Sequence, residues 1–494
     1  MKKIILTSFA FLFSASLFSQ EKIVKKVTDV VTKADAEAHL TFLASDEMRG
    51  RDTGSPEIAI AANYIAAQYK RQGLKTVNNA PTYFQEVGLQ QTQPPKKAEI
   101  KLGSEVFTYR KDLLVLNGKT SSISGDFVFV GYGTAEDFNS VDVKGKIVVS
   151  YAGTSEKSTV RQAYRKESPE KYKLVRNKGG VALIEIYSFA EPSWQVIAGF
   201  LSGSRISLSD EVSTVEDMPH FWMRKSESES LNNLIKQKTA TGSFSVEPSS
   251  PKIIPGKNVV GIIEGTDPTL KNEYIVLSAH YDHIGVRKNQ TQDSIYNGAR
   301  DNAMGTTAIL EAAKFFSANP VKRSLIILAF CGEEKGLLGS QWYANHPMIP
   351  LNQTVYNLDC DGAGYNDKSI ITLIDLNRTT ADELLKKGCK AFGLALHGDP
   401  VPNENLYERS DNYNFAAKGV PAVDFSPGIK TMDEELMKYY HQPPDEVSSL
   451  DFDYVVKYLR SYVYASYLIG NSPTRPYWKA GDKFEAAGKT LYGK

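Results

Sequence analysis

From residue 259 onward the chain keeps one rhythm: a short β-branched or apolar run, a loop, then a segment with helical spacing. The runs are 274–279, 324–330, 355–358, 370–374 and 422–425, with helical stretches at 304–316, 340–345, 381–392 and 454–468. Strands alternating with helices specify an α/β fold whose central sheet is mixed but largely parallel and flanked by helices. In open sheets of this kind ligands collect at the carboxyl ends of the strands.

Those ends are chemically loaded. The first run leads into His280, with Asp282 and His283 just behind it. The second leads into Cys331-Gly332-Glu333-Glu334, and the third into Asp359, with Asp361 two residues on. Asp301 opens the helical stretch after the first long loop. His441 lies in the loop Tyr439-Tyr440-His441-Gln442-Pro443-Pro444-Asp445, before the last helix.

Each residue alone has an ordinary reading: Asp301 as a helix N-cap, Glu333-Glu334 as a solvated turn, His280 as a hydrogen-bonded core or surface residue, and His441 as loop packing. Together, two imidazoles and four carboxylates on one rim need counter-charge, because carboxylates packed this way cannot all stay ionised without it. The immediate flanks offer Arg300 and Lys335. Divalent cations supply the charge more directly, and a His/Asp/Glu set without thiolates suits Zn²⁺ in an open catalytic site. Five ligands with one carboxylate to share suggest two ions ~3.5–4 Å apart, an arrangement suited to hydrolysis.

The rest of the chain bounds this reading. Lys2 and Lys3, the apolar run 4–13 and the small residues that follow have the order of a secretory signal peptide. Residues 1–19 are therefore expected to be a leader, and the protein to be exported, periplasmic or secreted. The run is shorter than the roughly 20 apolar residues a membrane span needs, and no later stretch approaches that length, so no membrane anchor is expected. Lys+Arg 58 against Asp+Glu 57 gives a formal charge of +1, which argues against a nucleic-acid partner. Cys331, Cys360 and Cys389 read as buried free thiols, with a Cys331–Cys360 bridge as the alternative.

Residues 20–115 read as the N-terminal part of the catalytic domain and 251–470 as its C-terminal part, which carries the site. Residues 116–250 form a β-rich insert with strands at 127–132, 146–150 and 181–187 and a helix at 172–177. The Ser/Lys/Thr/Gly/Pro-rich stretch 225–255 reads as a hinge out of it. The tail 471–494 has no assigned role.

The segments His280-Tyr-Asp-His283, Asp301-Asn-Ala-Met-Gly305, Glu333-Glu334, Asn357-Leu-Asp359 and Tyr440-His441 resemble, in order and spacing, the di-zinc exopeptidase family of clan MH. That family holds secreted bacterial aminopeptidases, glutamate carboxypeptidase and the transferrin receptor ectodomain. The resemblance spans roughly 35–115 and 255–470, and Leu43-Ala-Ser-Asp46 through Gly50-Arg-Asp-Thr-Gly-Ser55 looks like the family's N-terminal region.

It implies two Zn²⁺ per chain, one on His280 and Asp359, the other on Glu334 and His441, with Asp301 bridging. It implies Glu333 as general base toward the metal-bridging water, Tyr440 as a donor to the oxyanion, and Asp282 behind His280, orienting it through the other ring nitrogen. Asp361 is left as a carboxylate that supports Asp359 or competes with it. The insert resembles a protease-associated domain on Gly125-Asp-Phe-Val-Phe-Val-Gly-Tyr-Gly133, Val143-Lys-Gly-Lys-Ile-Val-Val-Ser150 and Lys178-Gly-Gly-Val-Ala-Leu-Ile-Glu185.

The expected activity is hydrolysis of N-terminal residues from peptide substrates. A carboxypeptidase or dipeptidase of the same family is the nearest alternative. It needs a cation for the substrate carboxylate, and Arg300 and Arg409 are the candidates. A non-catalytic binding protein would have lost ligands, and a glutaminyl-cyclase-like transferase would use one zinc. The full set of five ligands and a base argues against both.

Overall fold

The computed structural model of the protein describes residues 20–118, 120–139, 141–210, 218–287, 293–374 and 376–493. The expected leader, 1–19, lies outside them. The chain forms two compact units: residues through Gly88 together with Pro255 onward, and Leu89–Ile254. No helix among the described residues is long and apolar enough to cross a membrane.

The larger unit is α/β. Its sheet includes β1 (Lys252–Ile263), β2 (Tyr274–His280), β3 (Ser324–Phe330), β4 (Thr354–Asp359), β5 (Ile370–Leu373), β6 (Ala395–Gly398) and β7 (Ala422–Pro427), in the order β6-β5-β7-β4-β2-β3-β1. The central pairs β3–β2, β2–β4 and β4–β7 are parallel, whereas β1–β3 and β5–β7 are antiparallel. Every residue of β3 and β4 is buried, as expected of continuous apolar runs covered on both faces.

Helix α1 (Met304–Ala318) packs on β2 and β3 and against α2 (Phe452–Asn471). The Asp451 carboxylate caps α2 by accepting from the Asp453 and Tyr454 N–H groups. Val455, Leu459, Tyr462 and Val463, spaced as one helical stripe, are fully buried. The tail docks on this unit: Trp478 is buried, its indole N–H donates to the Gly419 carbonyl at 3.1 Å, and a helix follows at Glu485–Leu491. All three cysteines are buried free thiols.

The smaller unit carries a second mixed sheet, in the order Glu105–Thr108, Lys97–Leu102, Thr239–Glu247, Ser121–Phe129, Ile147–Tyr151, Ala182–Tyr187, His220–Arg224, Leu113–Asn117. Alternate residues of its central strands face opposite ways. Phe127, Phe129, Ile147, Val149 and Ile184 share one core, while Val128, Val148 and Leu183 share another with Tyr172 and Val175.

Two sequence expectations differ here. The unit starts at Leu89 rather than 116, because Lys97–Leu102 pairs with Thr239–Glu247, more than a hundred residues away. The expected hinge at 225–255 is ordered. Ser228 caps a helix at Glu229–Gln237 that buries Leu231 and Leu234, and Phe244 and Val246 alternate with serines in a strand. Its polar residues are the solvent faces of regular elements.

Candidate metal centre

Strand register brings the site together. In the parallel ladders Ser278 lies opposite Asp359 and His280 opposite Phe330, so β2, β3 and β4 end at one rim. Beyond β3 the chain turns through Gly332, at φ +76°, and presents Glu333 and Glu334 in a short 3-10 turn. Asp301 enters from the segment before α1. Its backbone is held from across the molecule by Asp445, a buried residue whose carboxylate accepts from the N–H groups of Arg300 (2.9 Å) and Asp301 (3.2 Å). His441 reaches the rim from its loop with φ +56°, a strained conformation of the kind that gathers at functional sites.

Two donor groups result, sharing Asp301. On one side, His280 Nε2 lies 3.3 Å from Asp301 Oδ1 and 3.1 Å from Asp361 Oδ1. On the other, His441 Nε2 lies 3.1 Å from Asp301 Oδ2 and 3.3 Å from Glu334 Oε2. Glu333 Oε2 stands 3.9 Å from His280 Nε2. A tetrahedral ion with bonds of ~2.0–2.1 Å has ligand–ligand edges of about 3.3 Å, so the separations of 3.1–3.3 Å match coordination edges and Glu333 stands outside them. His280–Asp301–Asp361 and His283–Asp301–Glu334 are both compact enough to hold an ion.

The electrostatics lean the same way. Burial alone would lower the His280 imidazole, but Asp361, Glu333 and Asp301 override it and raise its pKa well above the ordinary value. His441, also penalised by burial, is lifted to about 10 by its bonds to Asp301 and Glu334. Burial, with the charges of Asp361 and Glu334, pushes Glu333 well up. So much negative charge in a buried rim holds protons on its imidazoles, and a divalent cation compensates it without them. Nitrogen and carboxylate donors without thiolate fit zinc.

The structure assembles His280, Asp301, Glu333, Glu334, Tyr440 and His441, and departs from expectation at three positions. Asp359 is fully buried, and both its carboxylate oxygens accept from serine hydroxyls, Ser278 and Ser410, while Asp361 takes the place beside His280. Asp282 meets His280 Nδ1 through its backbone carbonyl, at 3.1 Å, with its carboxylate oxygen 3.8 Å from the same nitrogen. Its carboxylate is turned to Thr53 Oγ1 (2.8 Å) and the Glu333 N–H (3.1 Å), so it braces the Glu333 turn. Arg300 is buried beneath the Tyr365 and Tyr439 rings and donates to the Ser449 carbonyl, which leaves it no access to a substrate carboxylate. Arg409 is exposed and donates to Tyr440 Oη at 2.9 Å, while the Tyr440 ring stacks on His441.

Three contributors are absent from the expected set. They are Asp445, His283 and the fully buried Arg51, whose guanidinium donates to the carbonyls of Leu43, Tyr281, Asn297 and Gly298 and so ties the N-terminal segment to the site loop. An arginine inside a Gly-rich loop was the available signal.

Residues 258–464, which hold every residue of the two donor groups, match the profile of peptidase family M28. Aminopeptidase YwaD of Bacillus subtilis (strain 168) is 24% identical over 471 residues, covering 91% of this chain and 90% of that protein.

Among solved structures, the aminopeptidase from Aneurinibacillus sp. strain AM-1 superposes with a TM-score of 0.55 at 20% identity, covering 93% of this chain and 98% of that one. BSAP, a zinc aminopeptidase from Bacillus subtilis, gives 0.50 at 17% identity, covering 90% and 97%. These likenesses establish that the chain shares the fold of those two structures.

Proposed function

We propose that the chain is an exported aminopeptidase that holds two zinc ions and removes N-terminal residues from peptides. The observation that carries this reading is the division of Asp301, one carboxylate oxygen toward His280 and Asp361 and the other toward His441. His280 and Asp361 would hold one ion, Glu334 and His441 the other, and Asp301 would bridge them. Bound there, zinc supplies Lewis acidity toward the scissile carbonyl and the attacking water.

Glu333, poised at the rim outside the donor pairs, takes the proton from that water and passes it to the leaving amine. Tyr440 Oη, steadied by Arg409, donates to the oxygen that gains charge. Export rests on the charged-apolar-small order of residues 1–19. The smaller unit is read as a protease-associated-like domain on its sequence segments.

That the similar proteins are aminopeptidases favours an aminopeptidase over a carboxypeptidase, as does the burial of Arg300. The test is hydrolysis of aminoacyl-anilides beside N-blocked, free-carboxyl dipeptides, before and after chelation and zinc return. Anilide cleavage lost in chelator and restored by zinc is the expected result. Cleavage of the blocked dipeptides alone would replace the aminopeptidase with a carboxypeptidase, and no zinc-dependent turnover on either would end the catalytic reading.

A further inference from the structure

Glu334 uses its two oxygens differently. Oε2 faces His441 Nε2 at 3.3 Å, on the side of the donor group. Oε1 faces His283 Nδ1 at 2.8 Å. We propose that His283 is a positioning residue that holds Glu334 so that only Oε2 is presented to the second metal. This rests on the two-metal reading above.

The surroundings of His283 support a fixed imidazole. It is fully buried, and its Nδ1 stays 3.9 Å from Asp301 Oδ1, farther than the ligand–ligand edges at the site. Its ring stands edge-on to that of His441, with centroids 5.7 Å apart. Its backbone bridges to Asp52, and its N–H donates to the Arg51 carbonyl, the residue whose guanidinium fixes Gly298. Gly298, at φ +62°, closes the other face, where a Cβ would lie 2.5 Å from His283 Cγ.

The imidazole is therefore wedged between a glycine backbone and one carboxylate oxygen. A glutamate ligand without such a partner turns freely about its last torsion and exchanges its oxygens. The 2.8 Å approach of Nδ1 crowds one oxygen and leaves the other aimed at the site, and outer partners of a metal ligand are worth about 10–100-fold in metal affinity.

The experiment is a titration of chelator-stripped full chain with Co²⁺, read by visible absorbance and by bound-metal stoichiometry, for the wild type, His283→Ala and His283→Asn. The wild type is expected to bind two ions. His283→Ala should still bind two, with one affinity unchanged and the other weaker by about 10–100-fold. His283→Asn, which keeps a short donor, should recover part of the loss. Unchanged affinities in both variants would overturn the proposal. So would loss of a whole equivalent in His283→Ala, which would make the imidazole itself a ligand. A wild type that takes up fewer than two ions refutes the two-metal reading, and the proposal with it, before any variant is compared. Thermal unfolding of the stripped variants separates a site effect from misfolding, and if His283→Ala fails to fold, His283→Asn carries the measurement.

Discussion

Asp361 Oδ1 lies 3.1 Å from His280 Nε2, whereas Asp359, two residues earlier, has both carboxylate oxygens engaged by serine hydroxyls. The cause is strand geometry. Asp359 is level with Ser278, and side chains on one face recur every second residue, so the next position on that face, 361, comes level with His280.

Asp361→Asn is therefore expected to lose one metal equivalent and more than about 100-fold in kcat, beyond what losing an outer partner costs. Asp359→Asn should keep both ions and instead lower stability by about 1–3 kcal/mol, the scale of a buried hydrogen-bond network left mismatched. Metal content and thermal unfolding of the two variants decide between them. The reverse pattern would return Asp359 to the ligand set.

Glu333 stands outside the tightest contacts of the two donor groups, and its backbone N–H is held by the Asp282 carboxylate. Glu333→Gln preserves volume and removes the proton acceptor. It should lower kcat by about 10²–10⁴-fold with metal content and KM nearly unchanged. A comparable fall in bound metal would make Glu333 a ligand.

Much of this was legible in the sequence, because β-branched runs and the residues that end them are local features. His280 and Glu334 were readable as one rim for that reason, and Asp301 and His441 joined them from loops that lead into helices. The choice between Asp359 and Asp361 was not, since it depends on the register of two strands separated by eighty residues. His283 was visible beside His280, but its role depends on which way an imidazole points. Asp445 acts on backbone N–H groups more than 140 residues away, and no local pattern announces that. The early start of the smaller unit carries no local signal, because Lys97–Leu102 is half polar and gains its place by pairing with a distant strand.

Arg409 offers two distinguishable roles. Its guanidinium donates to Tyr440 Oη, and its exposure also leaves it open to a substrate carboxylate. As a group that positions Tyr440, Arg409→Ala should cost about tenfold in kcat on anilides, and nothing further in a Tyr440→Phe background. As a carboxylate clamp it would instead raise KM for free-carboxyl peptides alone. The first outcome is expected, and the double-mutant cycle reads it directly.

The smaller unit has its own exposed liability to acid. Glu185 is fully buried, and its carboxylate accepts from Lys171 Nζ at 2.9 Å and from the Ser168 hydroxyl, with His220 Nε2 at 2.7 Å. Lys171, equally buried, also donates to the carbonyls of Tyr151 and Gly153. Burial works against the Glu185 charge, but Lys171, His220 and Ser168 prevail and hold its pKa down at about 2, against an ordinary 4.5.

Because the folded value lies below the unfolded one, this stabilisation is fully present above pH 4.5 and drains away as pH falls toward 2. Glu185→Gln abolishes that dependence and leaves the Lys171 charge buried without its counter-ion, a loss of about 3–5 kcal/mol at neutral pH. Hydrogen exchange of the Ala182–Tyr187 strand in the full chain, alongside thermal unfolding from pH 3 to 7, would measure both effects. A variant as stable as the wild type at pH 7 would refute the stabilising role of the Glu185–Lys171 pair.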